Sequence, residues 1–180
     1  MKKTILFLFV SLLMVLSCSQ KVNFKPRAIN FDRDDCHVCR MGLTDQRYNV
    51  QAINEFGEVR WYDDIGCLAE DMRNTDSWNQ WKGSKVQFWI GDASKENTPD
   101  NWIDAQKAYY DYGKKETPMG YGYAAYAQKP AVDSVFTFKE VLQRIASGKT
   151  MREAFIKKKK MLGEGKCGGG KCGTGKCGGK

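Results

Sequence analysis

Apolar and polar positions in the middle of this chain follow two rhythms, one of period two and one of helical period. Tyr48, Val50 and Ala52 alternate with polar neighbours, Asn54-Glu55-Phe56-Gly57 interrupts, and Val59, Trp61 and Tyr62 resume. That is the pattern of a β-hairpin. Asp63-Asp64 then supply the short acids that favour a helix start, and Ile65, Leu68, Ala69 and Met72 follow at helical spacing. Trp78 to Trp81 reads as a loop. Val86, Phe88 and Ile90 alternate as a strand that Gly91-Asp92 ends, and a further extended stretch is expected within Trp102 to Tyr112.

The plan then repeats. Tyr121 to Gln128 reads as a strand, Lys129-Pro130-Ala131 as a turn and Val132 to Phe136 as a second strand. Thr137 and Glu140 form a capping box ahead of the stripe Phe138, Val141, Leu142 and Ile145, which Gly148 closes. Met119-Gly120 echoes Met41-Gly42, so the order Met-Gly, hairpin, helix occurs twice. The expected fold class is α+β. Two similar ββαβ units, about residues 35–92 and 102–148, would pack as one small body around a pseudo-twofold and bring the two Met-Gly turns face to face.

The ends of the chain are different in kind. Lys2-Lys3 and the apolar run Ile5 to Leu16 form a secretion signal over residues 1–17, too short to span a bilayer as a helix. It stops at Val15-Leu16-Ser17-Cys18, the pattern of a bacterial lipoprotein signal, so Cys18 is expected to carry lipid. The expected location is the cell envelope, facing the periplasm and anchored in the inner or outer membrane. Residues 18–34 read as a polar tether. After a second capping box, Thr150 and Glu153, a short basic helix is expected within 149–162. Residues 163–180 repeat Lys-Cys-Gly every five residues and hold no apolar core residues, so a disordered tail is expected. Its Cys167, Cys172 and Cys177 are candidate metal-binding thiols.

Charge changes the picture little. The formal net charge is +8, but eight of the lysines fall in 157–180 and two more are Lys2 and Lys3. Residues 18–156 hold nineteen basic and twenty acidic residues, with no basic stripe on the body, which argues against nucleic-acid binding.

The candidate chemistry sits in Asp35-Cys36-His37-Val38-Cys39-Arg40-Met41, which gathers two thiols, the chain's single histidine and a thioether. Thiolate with thioether favours Cu(I), and thiolate with imidazole also suits zinc. Cys36 and Cys39 also have the spacing of a redox pair, and a disulfide is allowed outside the cytoplasm. Three readings therefore stand: a copper carrier, an extracytoplasmic thiol–disulfide protein using Cys36 and Cys39, and a zinc-binding structural module. Cys67 falls off the apolar stripe of its helix and is either a buried small thiol or a ligand. The chain has no Ser-His-Asp arrangement, phosphate-binding loop or GxGxxG, and it is read as no enzyme.

Three motifs carry a family resemblance: Cys36-x-x-Cys39-x-Met41-Gly42, Trp61-Tyr62-Asp63-Asp64-Ile65-Gly66-Cys67 and Thr117-Pro118-Met119-Gly120-Tyr121-Gly122. In this order they resemble the NosL family, copper-binding lipoproteins encoded beside nitrous-oxide reductase. The resemblance covers roughly residues 18–147. It implies two ββαβ units, Cu(I) as the bound ion, and a copper-accepting partner, nitrous-oxide reductase or its assembly factors. Carried onto this chain, Cys39 and Met41 match the family's cysteine-x-methionine element and Met119 its later methionine, with Cys36 and His37 as neighbouring candidates. One position departs: the family usually has glycine where Arg40 stands.

Overall fold

Asn54 shapes the first hairpin. Its side-chain oxygen accepts from the amides of Phe56 and Glu58, both at 3.0 Å, and Gly57 takes the left-handed conformation (φ 80°) that the turn requires. The flanking strands β1 (Val50–Asn54) and β2 (Val59–Tyr62) follow directly. The computed structural model describes residues 22–161, Lys82 apart. After the hairpin come α1 (Ile65–Arg73), α2 (Thr75–Trp78), β3 (Val86–Ile90), β4 (Ile103–Asp104), β5 (Tyr109–Tyr112), β6 (Tyr123–Tyr126), α3 (Phe138–Ala146) and α4 (Met151–Met161). The stretch read as a loop at Trp78 to Trp81 thus begins inside a four-residue helix.

Four strands form an antiparallel sheet in the order β2-β1-β3-β4. In the interior strand β1, Val50 and Ala52 join Phe88, Ile90 and Tyr62 in the core beneath α1 and α3. The aromatic contacts that close this core run from Trp78 stacked on Phe88 to Phe138 against Phe88, with centroids 6.2 and 5.4 Å apart. Burying a large apolar side chain contributes about 1.5–3 kcal/mol, so this seam ties the four-stranded sheet to α3. Gln51 points the other way. Its side-chain amide exchanges two hydrogen bonds with the backbone of Arg27, at 2.9 and 3.0 Å. Trp89 and Trp102 donate their indole N–H groups to the carbonyls of Phe24 and Arg27. The described part of the segment read as a tether therefore lies along the sheet from Phe24 onward.

Close backbone approach fixes how β3 leaves the sheet. A Cβ on Gly91 would lie 1.8 Å from the carbonyl oxygen of Gln46, which is main chain and cannot swing away. Gly91→Ala is expected to destabilise the protein by about 1–3 kcal/mol, the usual range for forced overpacking, as read from urea unfolding. An unchanged midpoint would show that residues 46–47 yield freely.

The first half is the expected ββαβ unit: β1, β2, α1 and β3, with the hairpin and the α1 helix where the periodicity put them. The second half departs from expectation. Strand β6 pairs with β5, in the register Tyr109↔Tyr126 to Tyr112↔Tyr123, and not with residues 132–136. Of the expected strand Val132 to Phe136, only Phe136 forms a bridge, exchanging backbone bonds of 3.0 and 2.8 Å with Tyr110. The physical reason is cross-strand aromatic pairing. Tyr112 packs on Tyr123 with centroids 4.9 Å apart, a contact that Val132-Asp133-Ser134 has no side chains to match. The second unit is thus β5-β6-α3, a ββα unit. Helix α3 carries the expected capping box in full, while α4 shows the Thr150 half, with the Glu153 amide donating to Thr150 at 3.1 Å. No helix among the described residues is long and apolar enough to cross a membrane. The expected disordered tail lies outside the described residues.

Candidate metal centre

The loop from Asp35 to Gly42 is closed at its base by a bridge between those two residues. Inside it, the Cys36 amide donates to the Met41 carbonyl at 2.9 Å and the Arg40 amide to the Cys36 carbonyl at 3.0 Å. The His37 amide donates to Trp61 of β2 at 2.7 Å, which fastens the loop to the sheet. Arg40 has φ 60°, so it stands in the left-handed region. That explains why glycine suits this position: a side chain there costs about 1–2 kcal/mol. Arg40→Gly is expected to raise stability by up to about 1 kcal/mol, because the relief is partly offset by a more flexible unfolded chain. A thermal midpoint that falls instead would mean the Arg40 side chain stabilises the loop by more than its backbone strain.

The loop places Cys36 and Cys39 against the start of α1, whose third residue is Cys67. The three Sγ atoms all lie within 4.8 Å of one another, and all three cysteines are free thiols. A trigonal ion with metal–sulfur bonds of about 2.3 Å spaces its ligands roughly 4 Å apart, so small side-chain adjustments would close the cluster on one ion. Cys36 and Cys67 are buried and Cys39 is half-buried.

The electrostatics divide the three thiols. A hydrogen bond from the Cys67 thiol pulls Cys36 down to about 5, against burial and with help from the amides of Cys39, Asp63 and Val38. Cys67 moves up, first because it donates that hydrogen bond and then because it is buried. Burial likewise pushes Cys39 up. One thiolate is therefore held ready among two thiols. Beside it, burial and the Cys36 charge raise the Asp63 carboxyl to about 6.

The other expected ligands fall in different places. Met41 is 48% exposed on the outside of the loop. Met119 is half-buried against the same apolar cluster that includes Cys36, Cys39 and Cys67. Its loop is anchored to the capping residue of α1: Thr117 donates to the Asp64 carboxylate at 2.7 Å, and the Met119 and Tyr121 amides also contribute. Tyr121 lies over Gly66, where a Cβ would sit 2.1 Å from its ring. The second half thus closes over the helix end that presents Cys67. The His37 ring is not part of the three-thiol group. Its Nε2 lies 3.2 Å from the Ser77 hydroxyl and 3.9 Å from Asp71, and burial lowers its pKa below 6.5. Cys18, Cys167, Cys172 and Cys177 lie outside the described residues. Sequence reasoning did not place Cys67 among the ligands. The signal that pointed to it was its position off the apolar stripe of α1, together with the odd number of cysteines in the body.

A model of the NosL family matches residues 28–139. No curated protein matches the chain. Among solved structures, the crystal structure of the copper chaperone NosL from Shewanella denitrificans is similar, with a TM-score of 0.53 at 17% identity, over 66% of this chain and 96% of that one. At that identity the structural likeness speaks for the fold, and it covers nearly the whole of the other protein. The family match spans more than half of the sequence and includes all three clustered thiols, Met41 and Met119, and on it the chain belongs to the NosL family.

Proposed function

We propose that this protein is a Cu(I)-binding metallochaperone. It is held at the outer side of a bacterial membrane by lipid on Cys18 and passes copper to a copper-accepting protein, nitrous-oxide reductase or one of its assembly factors. The observation that carries the reading is the convergence of Cys36, Cys39 and Cys67 from two separate elements on one point. Soft thiolates favour Cu(I), and three of them suffice for a trigonal ion, whereas structural zinc sites are almost always closed by four ligands. Among the described residues no histidine or carboxylate completes the group as a fourth, which disfavours the zinc module. Met41 and Met119, the methionines of the family motif, would serve as further neutral donors. The solved relative described as a copper chaperone supports the same reading. The tail thiols Cys167, Cys172 and Cys177 would capture copper and feed it to the body.

Anaerobic titration of the reduced protein with Cu(I) against a chromophoric chelator tests this. With Cys36 as thiolate and the other two as thiols, Cu(I) uptake at pH 7 is expected to release about two protons. Apparent affinity should then rise by about a hundredfold per pH unit near neutrality. Calorimetry in buffers of different ionisation enthalpy reads the proton count directly. Failure to hold Cu(I) against the chelator would sink the proposal, and selective retention of zinc would replace it with the structural-module reading.

A further inference from the structure

The three thiols meet solvent very differently, and this bears on how the proposed cargo gets in and out. Cys36 is 0% and Cys67 1% exposed, Cys39 is half-buried, and Met41, two residues further along the same turn, is 48% exposed. Resting on the copper-carrying reading, we propose that Cu(I) occupies two positions that share Cys39: an outer loading position held by Cys39 and Met41, and an inner holding position held by Cys36, Cys39 and Cys67.

Access separates the two positions. Ligand exchange at Cu(I) begins with an incoming donor bonding to the ion before an old bond breaks, so the donor must reach the metal. Cys36 and Cys67 are buried where the loop meets α1, and that loop is fastened by the Cys36–Met41 and His37–Trp61 backbone bonds. Of the candidate ligands on this loop, Cys39 and Met41 are the two that a donor or acceptor meets from solvent. Cys39 lies on the boundary and can keep its bond while the others change. In the inward step the bonds to Met41 and to the donor break as bonds to the Cys36 and Cys67 sulfurs form. The ion stays Cu(I) throughout, and protons displaced from the thiols leave to solvent on the Cys39 side. The outward step is the reverse, with the acceptor's ligand replacing the inner thiols. A thioether suits the outer role because it is neutral and binds through one soft atom, so it gives the ion up readily.

The two positions are distinguished by rates. The full chain carrying Cys18→Ser, Cys167→Ser, Cys172→Ser and Cys177→Ser is loaded with one Cu(I), and withdrawal by excess chromophoric chelator is followed by stopped flow. Cys36→Ser removes an inner ligand and is expected to speed withdrawal by about tenfold or more. Met41→Leu removes the outer step and is expected to slow it by about tenfold. Effects of opposite sign support two positions. Acceleration by both variants overturns the relay, since it would mean one site using every ligand at once. If Cys36→Ser does not fold, Cys67→Ala probes the same inner position with the same expectation. A parent chain that takes up no Cu(I) instead overturns the carrier reading itself.

Discussion

Cys67→Ser is expected to weaken Cu(I) binding by about a hundredfold or more. Loss of groups that merely orient a ligand already costs 10–100-fold in many metal sites, and here a bonding sulfur is removed. The serine hydroxyl is a harder donor and remains protonated, so it does not replace the thiolate. That hydroxyl still offers a hydrogen-bond donor toward Cys36, so the loss reads the missing bond to the ion and not a change at the Cys36 thiol. The measurement is a chelator competition near neutral pH in the chain lacking the tail thiols. A change of less than threefold would show that Cys67 is a packing residue and that the ion is bound by Cys39 and the methionines.

The largest expected loss of stability comes from Asp71→Ala. Asp71 of α1 is buried and accepts from Arg60 at 2.9 Å and from the Tyr62 hydroxyl at 2.7 Å. Arg60 is itself enclosed, lying over the Trp81 ring at 4.5 Å and donating to the Ser77 carbonyl at 3.2 Å. Removing the carboxylate leaves a guanidinium in the interior without its counter-charge, which costs about 3–5 kcal/mol. For a chain of this size that is about 10 °C in thermal midpoint. The pH dependence has a definite sign. Burial alone would raise Asp71, but hydrogen bonds from Ser77, Tyr62 and Arg60, with the Arg60 charge, hold it below its ordinary 3.8. Its contribution is therefore complete above that value and is lost as pH falls through the lower folded one. Wild type and Asp71→Ala should accordingly converge in stability toward strongly acid pH. A constant gap between them down to the lowest pH would show that packing, not charge, accounts for the loss.

The parts of the fold that were legible in the sequence are those fixed locally. Asp64 caps α1, Thr137 and Glu140 cap α3, and the first hairpin turns at Asn54 to Gly57, because short polar side chains and glycine act on backbone within a few residues. The second hairpin was not legible. Whether Tyr123–Tyr126 pairs with residues 132–136 or with Tyr109–Tyr112 is decided by side chains across the sheet, and a turn signal at Pro130 cannot weigh them. The site divides in the same way. The two loop thiols could be read directly, since Cys36 and Cys39 are neighbours in the chain. Cys67 joins them only because α1 begins under that loop; its place off the apolar stripe marked it as out of pattern without saying what it would meet. Arg40 was visible as a departure from the family pattern, but only its left-handed backbone shows why glycine is the common choice there.

Asp64 has a consequence beyond the cap it makes. Its carboxylate is enclosed, and most of the groups that satisfy it come from the Thr117–Tyr121 loop. A fragment cut anywhere before that loop would lose these donors and open the start of α1 at Gly66 to water, so the first repeat relies on the second to complete its helix cap. The two are therefore expected to unfold in one transition.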